Sequence, residues 1–438
     1  MIDELKRLKR LSAIRTGNNI KFLTPAVYSG GWCPMRVACN IAEDVGDLSY
    51  LLIGMPECAT YSRGMNMLPE GPRGEQRRIY VLDANEVVYG CRDGVIDAVK
   101  TMDADGAGAI LMIATCVTDL IGEDFDGMIG ELKNKVYARL AYVTLGQFVN
   151  FGSASGAWKT AEALGSLMEP RPAEKNTANA LFIEPWRNKN ETVKFPRIIT
   201  ALTENEVTVR TLAAGASLGD YMNAPGAALN LPLCSFTQPL AAKMERRFGV
   251  PYAPLHSAFK VDEIDGLYDT IAETFGINLG DRFGAWRDMA LGLEERAATE
   301  LGGATCAFLP GVDMPAALAG YLSGFGMEPI IMHIEDFHPE DAVHAKRITE
   351  HGYDPPVCRM MNIDKDIGIV RDMDPDICFG ELPDPPAPIA GLKAAEEMGD
   401  FFGVVGYERT AGILSRIFTV LETGVLGERM DLYGPAPV

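Results

Sequence analysis

Short apolar runs alternate with amphipathic stretches along most of the chain. LSYLLIGMP predicts a strand, GCRDGVIDAVKTMDAD a helix with one apolar face, and GAILMIAT a second strand. FDGMIGELKNKV then predicts a helix, RLAYVTL a strand, and GAWKTAEALGSLM another helix. Further on, ALFIEPW, NEVTVRTLAA and AALNLPL predict strands, and GGATCAFLP, MPAALAGYLSGFG and EPIIMHIED make a strand–helix–strand unit. PDICFGE predicts one more buried strand near the end. Nearly continuous apolar strands separated by helices indicate parallel sheets covered on both faces.

Such units are too many for one open sheet. The prediction is an α/β chain of three doubly wound, Rossmann-like parallel-sheet domains with metallocluster sites between them. They span residues 1–175, 176–300 and 301–438. The polar stretch MEPRPAEKNTANA, residues 168–180, is the expected first linker, and the second boundary falls near the charged helix LEERAATELGG. No repeat of fixed period is present. On sheets of this kind ligands sit beyond the carboxyl ends of the strands.

With 438 residues, 47% hydrophobic and 23% charged, the chain has the composition of an ordinary globular protein. A formal charge of −20 opposes nucleic-acid binding, because a polyanion needs clustered Lys and Arg. The one basic run, LKRLKRL, reads as a solvated helix face. MIDELKRLKR lacks the apolar core of a signal peptide, and no run of 18 uncharged apolar residues occurs. A cytoplasmic protein without membrane contact is expected.

An odd count of nine cysteines in such a protein argues against a disulfide framework and leaves metal ligation open. Cys58, Cys116 and Cys234 each follow an apolar strand, and Cys33 stands in GGWCP. With 24 and 57 residues between them, Cys33, Cys58 and Cys116 make no local motif. Two readings therefore stay open: apolar packing cysteines, or thiolates converging on an iron–sulfur cluster. A cubane takes four thiolates, so three would be completed by another group or chain. Cys306 and Cys378 lie in predicted strands and Cys39 and Cys91 on helices, as packing residues.

No GxxxxGK[ST] or GxGxxG motif is present, so ATP or a nicotinamide would have to be bound by a partner. FGSASGAW and LSGFG read as tight turns that could also cradle an anion. His338, His344 and His351 are expected to be solvated in an acidic segment. His256 follows Cys234 by 22 residues, either as a packed histidine or as a group in the same cleft. No Ser-His-Asp order or HExxH pattern occurs.

GMPECATYSRG, NEVVYGCRDGVIDAV, ATCVTDLIGEDF and LNLPLCSFTQPLAAKMERRFGVPY together resemble the component-1 proteins of nitrogenase and nitrogenase-like reductases, over residues 30–435. The resemblance implies that Cys33, Cys58 and Cys116 hold an electron-relay cluster, either an eight-iron P-cluster type or a 4Fe-4S cubane. It implies that Cys234 holds a large iron–sulfur cofactor related to that of nitrogenase. Partners implied are a homologous beta-type subunit in an α2β2 complex and a separate ATP-hydrolysing iron protein. Departures from the dinitrogen enzymes are Ser153 and Ala157 where these place Gln and His, no histidine after His351, and a missing arginine near Asn66. The expectation is an alpha-type subunit of a reductase that does not act on dinitrogen. Reductive C–S cleavage of small methylthio-alkanes fits best, with His256 and Ser153 as candidate catalytic residues. A cofactor-assembly scaffold and a tetrapyrrole reductase are the alternatives.

Overall fold

The computed structural model describes residues 3–25, 33–63, 76–148, 150, 152–184, 193–380, 395–396, 401–423 and 430–434. Two short strands, β1 (Lys9–Arg10) and β2 (Lys21–Phe22), come first. Next are α1 (Pro34–Asp44), β3 (Ser49–Gly54), α2 (Pro56–Arg63), β4 (Arg77–Val81), α3 (Glu86–Tyr89) and α4 (Arg92–Ala104). With β5 (Ala109–Ala114), α5 (Cys116–Leu120), α6 (Phe125–Leu132) and β6 (Arg139–Thr144) they build a four-stranded parallel sheet ordered β4-β3-β5-β6. Every residue of β3 and β5 is buried, as helices on both faces require.

Helix α7 (Gly152–Leu164) leads into a second parallel sheet. Its elements are β7 (Glu174–Leu181), α8 (Arg197–Glu204), β8 (Thr208–Leu212), α9 (Leu218–Asn223) and β9 (Ala227–Pro232), with strand order β8-β7-β9. Helices α10 (Gln238–Phe248), α11 (Val261–Phe275) and α12 (Gly284–Glu300) follow. The third sheet takes β10 (Thr305–Phe308), α13 (Pro315–Ser323), β11 (Glu328–His333), α14 (Asp341–Glu350), β12 (Pro356–Arg359), α15 (Ile363–Asp372), β13 (Ile377–Phe379) and β14 (Ala395–Glu396). Its order is β1-β12-β11-β10-β13-β14, with β2 also on β12. Among the described pairings only β1 runs antiparallel. Helix α16 (Tyr407–Thr423) closes the chain against α12.

Two details differ from the sequence reading. Half of the expected linker is strand: β7 begins at Glu174 and buries Thr177 and Asn179. Hydropathy misses it because Asn179 is held inside by hydrogen bonds from its Nδ2 to Ala224 O at 2.9 Å and Asn230 Oδ1 at 2.8 Å. The other is β1 and β2, which lie at the start of the chain and pair with β12 near its end.

Helix α7 lies against the start of α1. A Cβ on Gly156 would stand 2.5 Å from Pro34 O, so only glycine permits this approach. The contact sets the position of Cys33, one residue before α1.

Candidate functional site

Strands β3 and β5 are parallel neighbours with Ile53 opposite Ala114, so they end side by side. The helices that follow them, α2 and α5, therefore start side by side and carry Cys58 and Cys116 on one sheet edge. Gly54 makes this junction tight: a Cβ there would lie 2.4 Å from Thr115 Oγ1 and 3.1 Å from Cys58 Sγ. Cys33 caps α1 without a side-chain hydrogen bond, and the Arg36 N–H donates to its backbone oxygen at 3.1 Å. Gln147 N–H donates to Cys116 Sγ at 3.4 Å.

All three thiols are half-buried. Burial pushes the Cys33 thiol up from its ordinary value, the helix N–H groups pull it down, and charge on Cys116 and on Cys58 pushes it up again. Cys33 and Cys58 pack against the same core, and β3 and β5 end side by side before Cys58 and Cys116. Among the described residues no three His, Cys, Asp or Glu side chains stand close enough to hold a single metal ion. A cluster of several irons spans wider sulfur spacings than one ion does, and its donors are thiolates. Three half-buried thiols on one edge, Cys116 receiving the Gln147 N–H, fit such a cluster with its remaining ligand supplied from outside the chain. Exposed apolar side chains border the edge: Leu120 (69% exposed) on α5, Phe148 (71%) beside Gln147, and Tyr89 (86%) at the end of α3.

A second site lies beyond the carboxyl ends of β10 and β11. It is a cavity of about 270 Å³, whose wall includes Phe236, Asp313, Asp336, Glu340, Asp341 and Phe402. Asp313 Oδ1 accepts from Ser235 Oγ at 2.5 Å, Asp336 Oδ2 from Trp158 Nε1 at 3.1 Å, and Asp341 Oδ2 from the His338 backbone N–H at 2.8 Å. Burial raises Asp341 to about 8 and pushes Asp313 in the same direction. Sequence reading singled out none of these acids. The signal for Asp336, Glu340 and Asp341 was the dense run IEDFHPED directly after an apolar strand.

Cys234 follows β9 and is fully buried one residue behind the wall, where Ser235 and Phe236 stand. Its Sγ lies 3.4 Å from Ile183 O and 3.8 Å from Thr237 Oγ1. Burial, followed by the charge of Asp313, pushes this thiol up to about 12. Cys234 thus presents a buried thiol one residue behind the cavity wall.

His256 is fully buried in a turn after α10, with Nε2 3.6 Å from Glu340 Oε2. Neither of its ring nitrogens has a hydrogen-bond partner. Arg409 clamps the turn, donating to His256 O and Ala258 O at 2.7 Å each. His344 and His338 are not solvated as expected. His344 is buried on the inner face of α14, and His338 sits edge-on to Trp158 with ring centroids 4.9 Å apart. The acidic segment is amphipathic, and its histidines lie on the face that packs. His351 is exposed. Ser153 falls in the first turn of α7 next to the cavity residue Ala154, its side chain outside the described part, and Asn66 lies outside the described residues altogether. Cys39, Cys91, Cys306 and Cys378 are buried in packing positions.

The family of nitrogenase component 1 type oxidoreductases matches residues 33–422. The chain is 24% identical over 341 residues to the nitrogenase iron-molybdenum cofactor biosynthesis protein NifE of Clostridium pasteurianum, covering 73% of this chain and 71% of that protein. The protein of the same name from Nostoc sp. is 26% identical over 290 residues, covering 63% and 57%. In fold, the chain is similar to a solved structure of nitrogenase Cp1 at pH 6.5, with a TM-score of 0.64, 15% identity, and coverage of 91% of this chain and 95% of that one.

Proposed function

The chain belongs to the nitrogenase component 1 type oxidoreductases, and from that membership we propose that it is the alpha-type subunit of a nitrogenase-like reductase. In this reading an ATP-hydrolysing iron protein supplies electrons, a homologous beta-type subunit completes an α2β2 complex, and a small organic molecule other than dinitrogen is reduced. The observation that carries the proposal is the trio of half-buried thiols, Cys33, Cys58 and Cys116, beside one apolar-bordered sheet edge. The absence of any phosphate-loop motif agrees with a separate ATPase. Among the described residues no helix is long and apolar enough to cross a membrane.

Bound at the three thiols, a cluster of the P-cluster or 4Fe-4S type would supply one-electron transfer at about −400 mV or below. The chain's own contribution there is positional. The α1 N-terminus and the Gln147 N–H orient and stabilise sulfur charge, Gly54 lets Cys58 approach β5, and the apolar rim excludes water once a subunit covers it. At the second site the cavity binds the substrate. His256 is proposed as a catalytic residue acting through Glu340, which lies 3.6 Å away and lines the cavity. Ser153 is proposed as a second polar contact by its position next to Ala154. The proposed reaction is reductive cleavage of a carbon–sulfur bond in a small methylthio compound. An entering electron pair replaces C–S by C–H and S–H, one proton going to each fragment.

A second reading is favoured by the names of the curated relatives, which are cofactor biosynthesis proteins. In it the chain would be an assembly scaffold. Anaerobic purification with iron and sulfide, followed by metal and labile-sulfide analysis and EPR of the reduced protein, tests both. One low-potential cluster, lost in Cys58→Ala, is expected. A chain that stays metal-free overturns the reductase reading, and a second, larger cluster that is handed to another protein moves the assignment to the scaffold.

A further inference from the structure

The cavity wall joins carboxyl groups to aromatic rings and, among the described residues, carries no lysine or arginine. Among the described residues Asp336 takes hydrogen bonds from two neutral donors, Trp158 Nε1 at 3.1 Å and the Phe337 N–H at 2.9 Å. Glu340 faces the imidazole of His256, a fully buried side chain whose two nitrogens have no hydrogen-bond partner. The basic groups nearest the wall are directed elsewhere. Arg409 donates to the carbonyls of Leu255, His256 and Ala258, Arg359 to those of Gly17, Ile20 and Glu335, and Lys159 to Asn150 Oδ1. Lys159 and Arg359 reach Asp336 only as through-space charges.

Phe236 and Phe402, tilted at 42° with centroids 6.0 Å apart, form the opposite kind of surface on the same wall. Ring faces attract cations whose charge is spread over an apolar body, and a nearby carboxylate adds to that attraction. A bare metal ion suits the site poorly, because no three donors converge among the described residues.

We propose that this cavity binds a small methylated onium cation, an ammonium or sulfonium, with Asp336 and Glu340 as counter-charges and Phe236 and Phe402 as the wall on which its methyl groups rest. Within the reductase reading the inference exchanges the neutral thioether for a sulfonium, whose C–S bond would take up two electrons and one proton to give C–H and a neutral thioether, an ammonium being bound without cleavage. It rests on that reading only for what happens to the ligand after binding. A sulfonium is also the more reducible form of a methylthio group, since cleavage releases a neutral thioether as the leaving group.

Isothermal titration of the full chain with choline and with its neutral isostere 3,3-dimethylbutan-1-ol tests binding without any metal or partner. Saturable choline binding is expected, with the alcohol weaker by about tenfold or more. Glu340→Gln should weaken choline by a similar factor and leave the alcohol unchanged. Equal binding of the two probes overturns the proposal, as does no saturable choline binding at all. If Glu340→Gln does not fold, the choline and alcohol comparison on the wild-type chain and on Phe402→Leu decides. Loss of the iron cluster would sink the reductase reading and leave these titrations unaffected.

Discussion

Gly54 and Cys58 approach so closely that a methyl group on the glycine would stand 3.1 Å from the cysteine sulfur. The same methyl would be 2.4 Å from Thr115 Oγ1, so neither β5 nor α2 leaves space for it. Gly54→Ala is expected to push Cys58 out of line with Cys116 and to cost about 1–3 kcal/mol from overpacking. Iron bound after anaerobic reconstitution should fall below wild type while the circular dichroism spectrum is retained. Wild-type iron content in this variant would show that Cys58 is not a ligand.

Cys58 and Cys116 are half-buried, so their loss should be tolerated by the fold. Cys58→Ala and Cys116→Ala are expected to change unfolding free energy by no more than about 1 kcal/mol in the metal-free chain. Cys234→Ala, which removes a fully buried side chain, should cost more than either. Chemical denaturation of the three variants side by side checks the order.

Arg409 ties down the turn that carries His256 by donating to three carbonyls. Arg409→Met leaves those buried oxygens without a donor and should destabilise the protein by at least about 3 kcal/mol. Arg409→Lys, with a single ammonium for three acceptors, should recover only part of this. Thermal denaturation of both variants measures the difference.

Asp341 carries a pH dependence whose sign is fixed by its burial. Its folded value is raised from an ordinary aspartate range to about 8, so the folded state holds the proton more tightly than the unfolded chain. The stability this contributes is complete below about pH 4 and is lost as pH rises through about 8. Glu408, raised to about 7 by burial, acts in the same direction. Asp341→Asn keeps an oxygen for the His338 N–H and removes the titration. Its melting temperature should exceed wild type by at least about 2 °C at pH 9 and lose that advantage at pH 5. A constant difference across that range would refute the assignment.

Exposed apolar side chains around the thiol edge imply a covering surface. Wild-type chain alone should associate with rising concentration, and Leu120→Lys with Phe148→Lys should keep it monomeric. Multi-angle light scattering distinguishes the two, and identical behaviour would remove the rim as an interface.

Much of this protein follows from its order of residues alone. Continuous apolar runs such as SYLLIG and AILMIA can satisfy their backbones only in sheets buried on both faces, and that dictates the α/β class. Cysteines placed just after such runs must emerge at a sheet edge, which made Cys58 and Cys116 visible as a pair. What no pattern could reveal was settled by packing at a distance. Asn179 became core because Asn230 and Ala224 offered it partners, His344 was turned inward by the face of α14, and Cys234 ended one residue behind the wall that Ser235 lines. The acid-walled cavity depends on segments far apart in sequence, and periodicity carries no information about such meetings. Local propensity acts within a few residues, whereas which carboxyl group finds which ring is decided by how whole sheets and helices close together.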